Sequence, residues 1–194
     1  GSQSLNDADK ICERLGMKMY TVNIGKACEA LLADMDKAGA ALSNASIQNI
    51  PPRVRMTTLY ALGQTNNARV VNTCNLSEDY IGYATKFGDG AGDFSVFANL
   101  TVTEVLAIGD YLGLPYEWVH KTPDDGLPHS CPDEQKIGFT YAELDIYIRT
   151  GVAPEGYVHD NEAEGLKVDK IDRMNRANLH KLQPMPSFKT DSKL

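Results

Sequence analysis

Between Asn72 and Asp93 the chain reads NTCNLSEDYIGYATKFGDGAGD, the densest concentration of polar and glycine residues in its 194 positions. Glu78 is a candidate Mg²⁺ ligand, because hard cations take carboxylates and share them with substrate phosphates. Lys86 offers a point charge for an anion. Asp89 and Asp93 flank glycines that let backbone come close to a ligand. On composition alone the blander explanation is the stronger one: a helix with a solvated carboxylate, then an ordinary Asp-Gly turn. The calcium-loop pattern of alternating Asp with a terminal Glu is not met.

Other chemistry-bearing residues are sparser. Arg53 and Arg55 stand in NIPPRVRM, where a guanidinium could grip a carboxylate or phosphate bidentately. Alone, they read as a solvated helix face. His180-Lys181 could hold a phosphate, but a lone dipeptide of this kind is more often a surface pair. His129 and Cys131 have no second metal-spaced pair, which argues against zinc. No G-x-S-x-G elbow occurs, so a serine hydrolase has no support.

The elements that must position these residues follow an α/β rhythm. SLNDADKICERLG has helical spacing and ends at Gly16. MKMYTVNI is a β-prone run that reads as a strand over 17–24. A helix starts near Gly25, and Pro51 and Pro52 open another. ARVVNTC reads as a buried strand, and NTC stands at its carboxyl end, where an open parallel sheet places its ligand. Thr101 to Glu104 and Thr140 to Glu143 are capping boxes that open two more helices. HKTPDDGLPHSCPDEQK reads as a long loop. KVDKIDRMNRANLHKL is a last amphipathic stretch, with Ile171, Met174 and Leu179 on its apolar side.

Composition narrows the classes. With 42% hydrophobic and 23% charged residues the chain is an ordinary globular one. A net charge of −7 argues against a generic nucleic-acid coat. No run is apolar for the roughly 18 residues that a membrane span needs. The N-terminal stretch is polar, and the four cysteines form no CxxC. These features set the expectation of a reduced, cytoplasmic setting, with no nucleic-acid or membrane partner.

Together the segments resemble a known family. NTCNLSEDYIGYATKFGDGAGDFSVFANLTVTEV resembles the signature region of ammonia-dependent NAD⁺ synthetases. NIPPRVRMTTLYALG before it, and KTPDDGL, PDEQKIGFTYAELDIYIRTG and NLHKLQPMP after it, look like the same family in the right order, and the resemblance runs from about Ser2 to Phe188. It implies a Rossmann-like parallel sheet flanked by helices, of the adenine nucleotide alpha hydrolase-like, ATP pyrophosphatase group. Residues 1–188 form the domain and 189–194 a tail. It implies ATP-dependent amidation of deamido-NAD⁺ with ammonia through an acyl-adenylate, with Mg²⁺ as cofactor and a homodimer as the working unit. Residue by residue, Glu78 matches a metal-ligand carboxylate and Thr73 an ATP contact. Arg53, Lys86, Asp93, His180 and Lys181 match positions that hold deamido-NAD⁺. Asp89, in the same loop, is the catalytic candidate.

Two departures accompany the likeness. The SGGxDS phosphate loop of the family is absent from these 194 residues, so the sequence reads as a C-terminal portion lacking its N-terminal strands and inactive alone. Val102 stands where many members have an ATP-contacting lysine. Two other readings stay open: another ATP pyrophosphatase-type amidating synthetase, or a non-catalytic fragment or dinucleotide-binding module.

Overall fold

The structure, a computed structural model, describes residues 2–123, 132–152 and 162–188. Asp124, His129, Cys131 and the 189–194 tail lie outside them. In chain order the elements are α1 (Ser2–Leu15), α2 (Gly25–Lys37), α3 (Asn44–Gln48), α4 (Ile50–Thr65), β1 (Val71–Asn72), α5 (Leu76–Ile81), β2 (Phe94–Ser95), α6 (Val102–Tyr111), α7 (Tyr116–Val119), α8 (Asp133–Ile137), α9 (Tyr141–Thr150) and α10 (Glu162–Leu182). β1 and β2 pair in parallel, with Val71 opposite Phe94 and Asn72 opposite Ser95. The architecture is α/β, with a small parallel sheet and the crossover between its strands running through α5.

Local signals account for most element boundaries. Thr101 and Thr140 close both expected capping boxes, with Glu104 and Glu143 returning to the backbone N–H of each cap residue. Prolines occupy the first turn of α4, where their missing N–H costs nothing. Gly151 ends α9 in the left-handed conformation at φ +68°.

One expected element is corrected. Residues 17–24 form no strand. A strand is stabilised by the ladder with its neighbour, and among the described residues no other strand lies alongside. The run ARVVNTC is strand only over Val71–Asn72. The long loop also contains helix, since DEQKI forms α8.

The core lies toward the C-terminal half. Ile81, Ile137, Phe139, Tyr141, Leu144 and Ile171 are buried together, with Tyr80, Tyr83, Val102, Tyr147, Ile148 and Met174 packed around them. Val102, at the start of α6, therefore packs against this core. Two buried polar residues tie the helices: the Ser77 hydroxyl donates to Asp145 and accepts from Val102 N at 3.0 Å. Asp145 also accepts from Thr103 N at 2.8 Å.

Candidate functional site

The site is built where α5 ends and the glycine-rich loop 82–92 begins. The last carbonyls of a helix have no partner within it. Here α10 supplies donors at three-residue spacing. Asn175 Nδ2 donates to Tyr80 O at 2.8 Å, and Asn178 Nδ2 to Ile81 O at 3.1 Å. Lys181 Nζ donates to Gly82 O at 2.6 Å and Ala84 O at 2.9 Å. The approach is so close that a Cβ on Gly82, which sits at φ +68°, would lie 2.1 Å from Asn178 Cβ. Only glycine serves at that position.

The other cations are fixed against the same loop. Arg53 Nε donates to Lys86 O at 3.2 Å, and Lys86 Nζ donates to His180 O at 2.7 Å. Arg53, Lys86, His180 and Lys181 thus form one contiguous chain, although 128 positions separate its ends. An ammonium has three donors. Lys181 commits two to carbonyls and Lys86 one, so both keep donors for a ligand.

Two open pockets lie on either side of Lys181. The larger, about 460 Å³, is lined by Pro52, Arg55, Tyr83, Thr85 and Asp89 among others; the smaller, about 300 Å³, by Tyr60, Asp79, Lys86, Phe87 and the glycines 90 and 92. Lys181 lines both. Burial holds its ammonium below the usual lysine range, with Asp89 partly opposing. Asp89 Oδ1 accepts from Thr85 N at 3.1 Å and its carbonyl accepts from Asn72 Nδ2 at 3.2 Å, which pins the loop to β1. Asp93 lines neither pocket. Its Oδ2 accepts from Val70 N at 2.7 Å and its N–H donates to Val70 O at 2.7 Å, extending the pairing of β1 with β2.

Thr73 is exposed at the carboxyl end of β1, and Glu78 stands in the first turn of α5. Glu78 closes a capping box: its N–H donates to Asn75 Oδ1 at 3.0 Å and its Oε2 accepts from Asn75 N at 3.1 Å. Burial pushes its carboxyl up to about 7; the bond from Asn75 opposes this, and Asp79, Asp133 and Asp89 add to it. A half-buried carboxylate among other carboxylates suits a divalent cation, which would relieve both the burial cost and the repulsion. No cluster of three metal-ligating side chains exists among the described residues. Glu78 is the residue of this chain that could hold such a cation, sharing it with substrate oxygens.

Several participants carry no sequence signal of their own. Asn175 and Asn178 look like ordinary polar positions until the fold brings α10 against α5. Tyr83 Oη donates to Asp133 at 2.9 Å across 50 positions. The Asn75-to-Glu78 cap could have been found, since Asn is a preferred N-cap and Glu the preferred residue three places on.

The fold is α/β, with basic side chains of α4 and α10 gathered on the loop between its two parallel strands. The NAD synthase family model matches residues 1–185. The NH₃-dependent NAD⁺ synthetase of Carboxydothermus hydrogenoformans is 38% identical over 176 residues, covering 90% of this chain and 68% of that protein. The corresponding synthetase of Finegoldia magna is 31% identical over 185 residues, covering 95% of this chain and 71% of that protein. Among solved structures, the NMN synthetase of Francisella tularensis superposes with a TM-score of 0.85 at 32% identity, over 98% of this chain and 74% of that one. The chain belongs to the NAD synthase family.

Proposed function

We propose that the chain contributes to an ATP-dependent ligase that amidates deamido-NAD⁺ with ammonia, giving NAD⁺, AMP and pyrophosphate. The family match carries the reaction class. The observation that supports the acceptor site is the convergence of the Arg53, Lys86 and Lys181 side chains on one loop, with His180 taking part through its backbone carbonyl.

In this reaction the nicotinate carboxylate attacks the α-phosphorus of ATP, and the bond to the pyrophosphate oxygen breaks. Ammonia then attacks the acyl carbon of the adenylate and AMP leaves. The reactants are anionic and repel one another, so the protein's task is to neutralise charge and align atoms. Lys86 and Lys181 hold the acceptor on the loop, with Arg53 and His180 fixing them. Thr73 contacts ATP at the carboxyl end of β1. Glu78 would hold Mg²⁺, which supplies Lewis-acid charge to phosphate oxygens when bound. Asp89 holds the loop through Thr85 and faces the larger pocket, where it orients the reacting end of the acceptor; Asp93 contacts the acceptor as well, a reading that rests on the family resemblance.

A homodimer and a cytoplasmic setting complete the reading. The first rests on the family resemblance and is checked by sedimentation velocity. The second rests on the polar N-terminal stretch and cysteine usage; no helix among the described residues is long and apolar enough to cross a membrane.

The matching Francisella tularensis structure supports a second reading of the acceptor, as the corresponding deamido mononucleotide. The amidation chemistry is the same. Titrating the chain with deamido-NAD⁺ and with nicotinate mononucleotide separates the two by their affinity ratio. The 194 residues contain no SGGxDS segment. Acceptor binding without turnover is therefore expected of them, and ammonia-dependent amidation is expected of a longer chain in which such a segment precedes them. Turnover by the 194 residues alone would contradict that expectation.

A further inference from the structure

Arg53 and Arg55 are two positions apart on α4. Each helical residue turns about 100°, so their side chains leave the helix on nearly opposite sides. One ligand group cannot be gripped by both from that helix, and the structure shows different surroundings for each. Arg53 gives its Nε to Lys86 O, a contact within the protein. Arg55 lines the 460 Å³ pocket together with Lys181 and Asp89. It forms no hydrogen bond or ion pair among the described residues. Asp89, the one carboxylate on that pocket's wall, already has its Oδ1 on Thr85 N. Two cations and one carboxylate leave the pocket with formal charge of +1, favourable to an anion.

We propose that Arg55 is an acceptor-binding residue, its guanidinium receiving the phosphate attached to the nicotinate riboside, while Arg53 is a positioning residue that holds Lys86. A planar guanidinium offers paired N–H donors that match two phosphate oxygens, which an ammonium cannot reproduce. The remaining donor of Lys181 meets the same phosphate from another wall of the pocket. This phosphate is common to the mononucleotide and the dinucleotide acceptor, so the assignment does not depend on which is used. It does rest on the acceptor-site reading above.

The test pairs ligands that differ only in that phosphate. Nicotinate mononucleotide and nicotinate riboside are titrated into the full chain by NMR, which also reads weak binding. Arg55→Ala weakens the mononucleotide on the order of 10- to 100-fold and leaves the riboside within about twofold. Arg55→Lys restores only part of the loss. Arg55→Gln guards against misfolding of the alanine variant and reproduces its ligand selectivity. Equal weakening of both ligands, or no effect on the mononucleotide while Lys181→Ala still weakens it, overturns the role of Arg55 and leaves the site standing. If the unmodified chain binds neither ligand, the acceptor-site reading falls and the inference falls with it.

Discussion

No residue from Leu5 to Asn49 is buried, whereas α5, α8, α9 and α10 enclose a core whose central leucine, Leu144, is wholly inaccessible. Leu15, Met17 and Val22 are each more than half exposed. Within these 194 residues the buried surface is concentrated in the helices that carry the proposed acceptor loop, and the N-terminal helices contribute little to it. The glycine-rich loop 82–92 is attached to the first of these. Its geometry is set by α10 and the end of α5, with Arg53 of α4, Asn49 and Asn72 of β1 bonded to it as well.

Two pairs of substitutions and one single substitution probe that contrast. Leu144→Ala should cost about 2–5 kcal/mol in urea unfolding, since it opens a cavity in a filled core. Leu31→Ala on half-exposed α2 should stay within about 0.5 kcal/mol. Equal losses would mean that the two regions unfold with the same dependence on packing.

The second pair uses one backbone conformation in two settings. Gly82 and Gly16 both have positive φ, +68° and +61°. Gly16→Ala meets nothing within 4 Å and should cost only the left-handed strain, about 1–2 kcal/mol. Gly82→Ala meets Asn178 as well, and about 2–4 kcal/mol is expected from strain plus overpacking. It should also weaken acceptor binding, because α10 must retreat from the loop. Identical thermal shifts for the two variants would contradict the close packing of α10 on Gly82.

The third concerns Glu78. Its carboxyl titrates near 7 in the folded chain, against about 4.5 when free. The folded state therefore favours the neutral acid. The stability this contributes is complete below about pH 4.5 and is lost as pH rises through 7. Glu78→Gln is neutral throughout and keeps an oxygen for Asn75 N. Its advantage over the unmodified chain should grow between pH 4.5 and 7 and reach about 1–2 kcal/mol at pH 8, allowing for partial solvent screening. In the amidating enzyme the same change should lower activity and raise the Mg²⁺ requirement. A stability difference that does not change with pH would remove the buried carboxylate from this account.

What the sequence made legible follows the range of the interactions involved. Capping boxes at Thr101 and Thr140 and the proline start of α4 depend on residues within four positions, and they were readable. The strand expected over 17–24 depends on a partner elsewhere, which the alternation of residue types does not reveal. Arg53, Lys86, His180 and Lys181 were found by likeness to the family, and their contact through carbonyl oxygens was not foreseeable. Asn175 and Asn178 gave no signal, because their function is to cap a helix almost a hundred positions away. By residue type Arg53 and Arg55 read alike, the family resemblance singles out Arg53, and only the helix fixes the different sides on which the two emerge.

The central claim is that loop 82–92, α4 and α10 form an acceptor site within this chain. Calorimetric titration with deamido-NAD⁺ tests it most directly, using the unmodified chain, Lys86→Ala and Lys181→Ala. Saturable binding is expected, weakened by each substitution by about one to two decades, with a smaller effect on any ATP binding. Saturable binding that neither lysine affects, in variants that retain their fold, would contradict it.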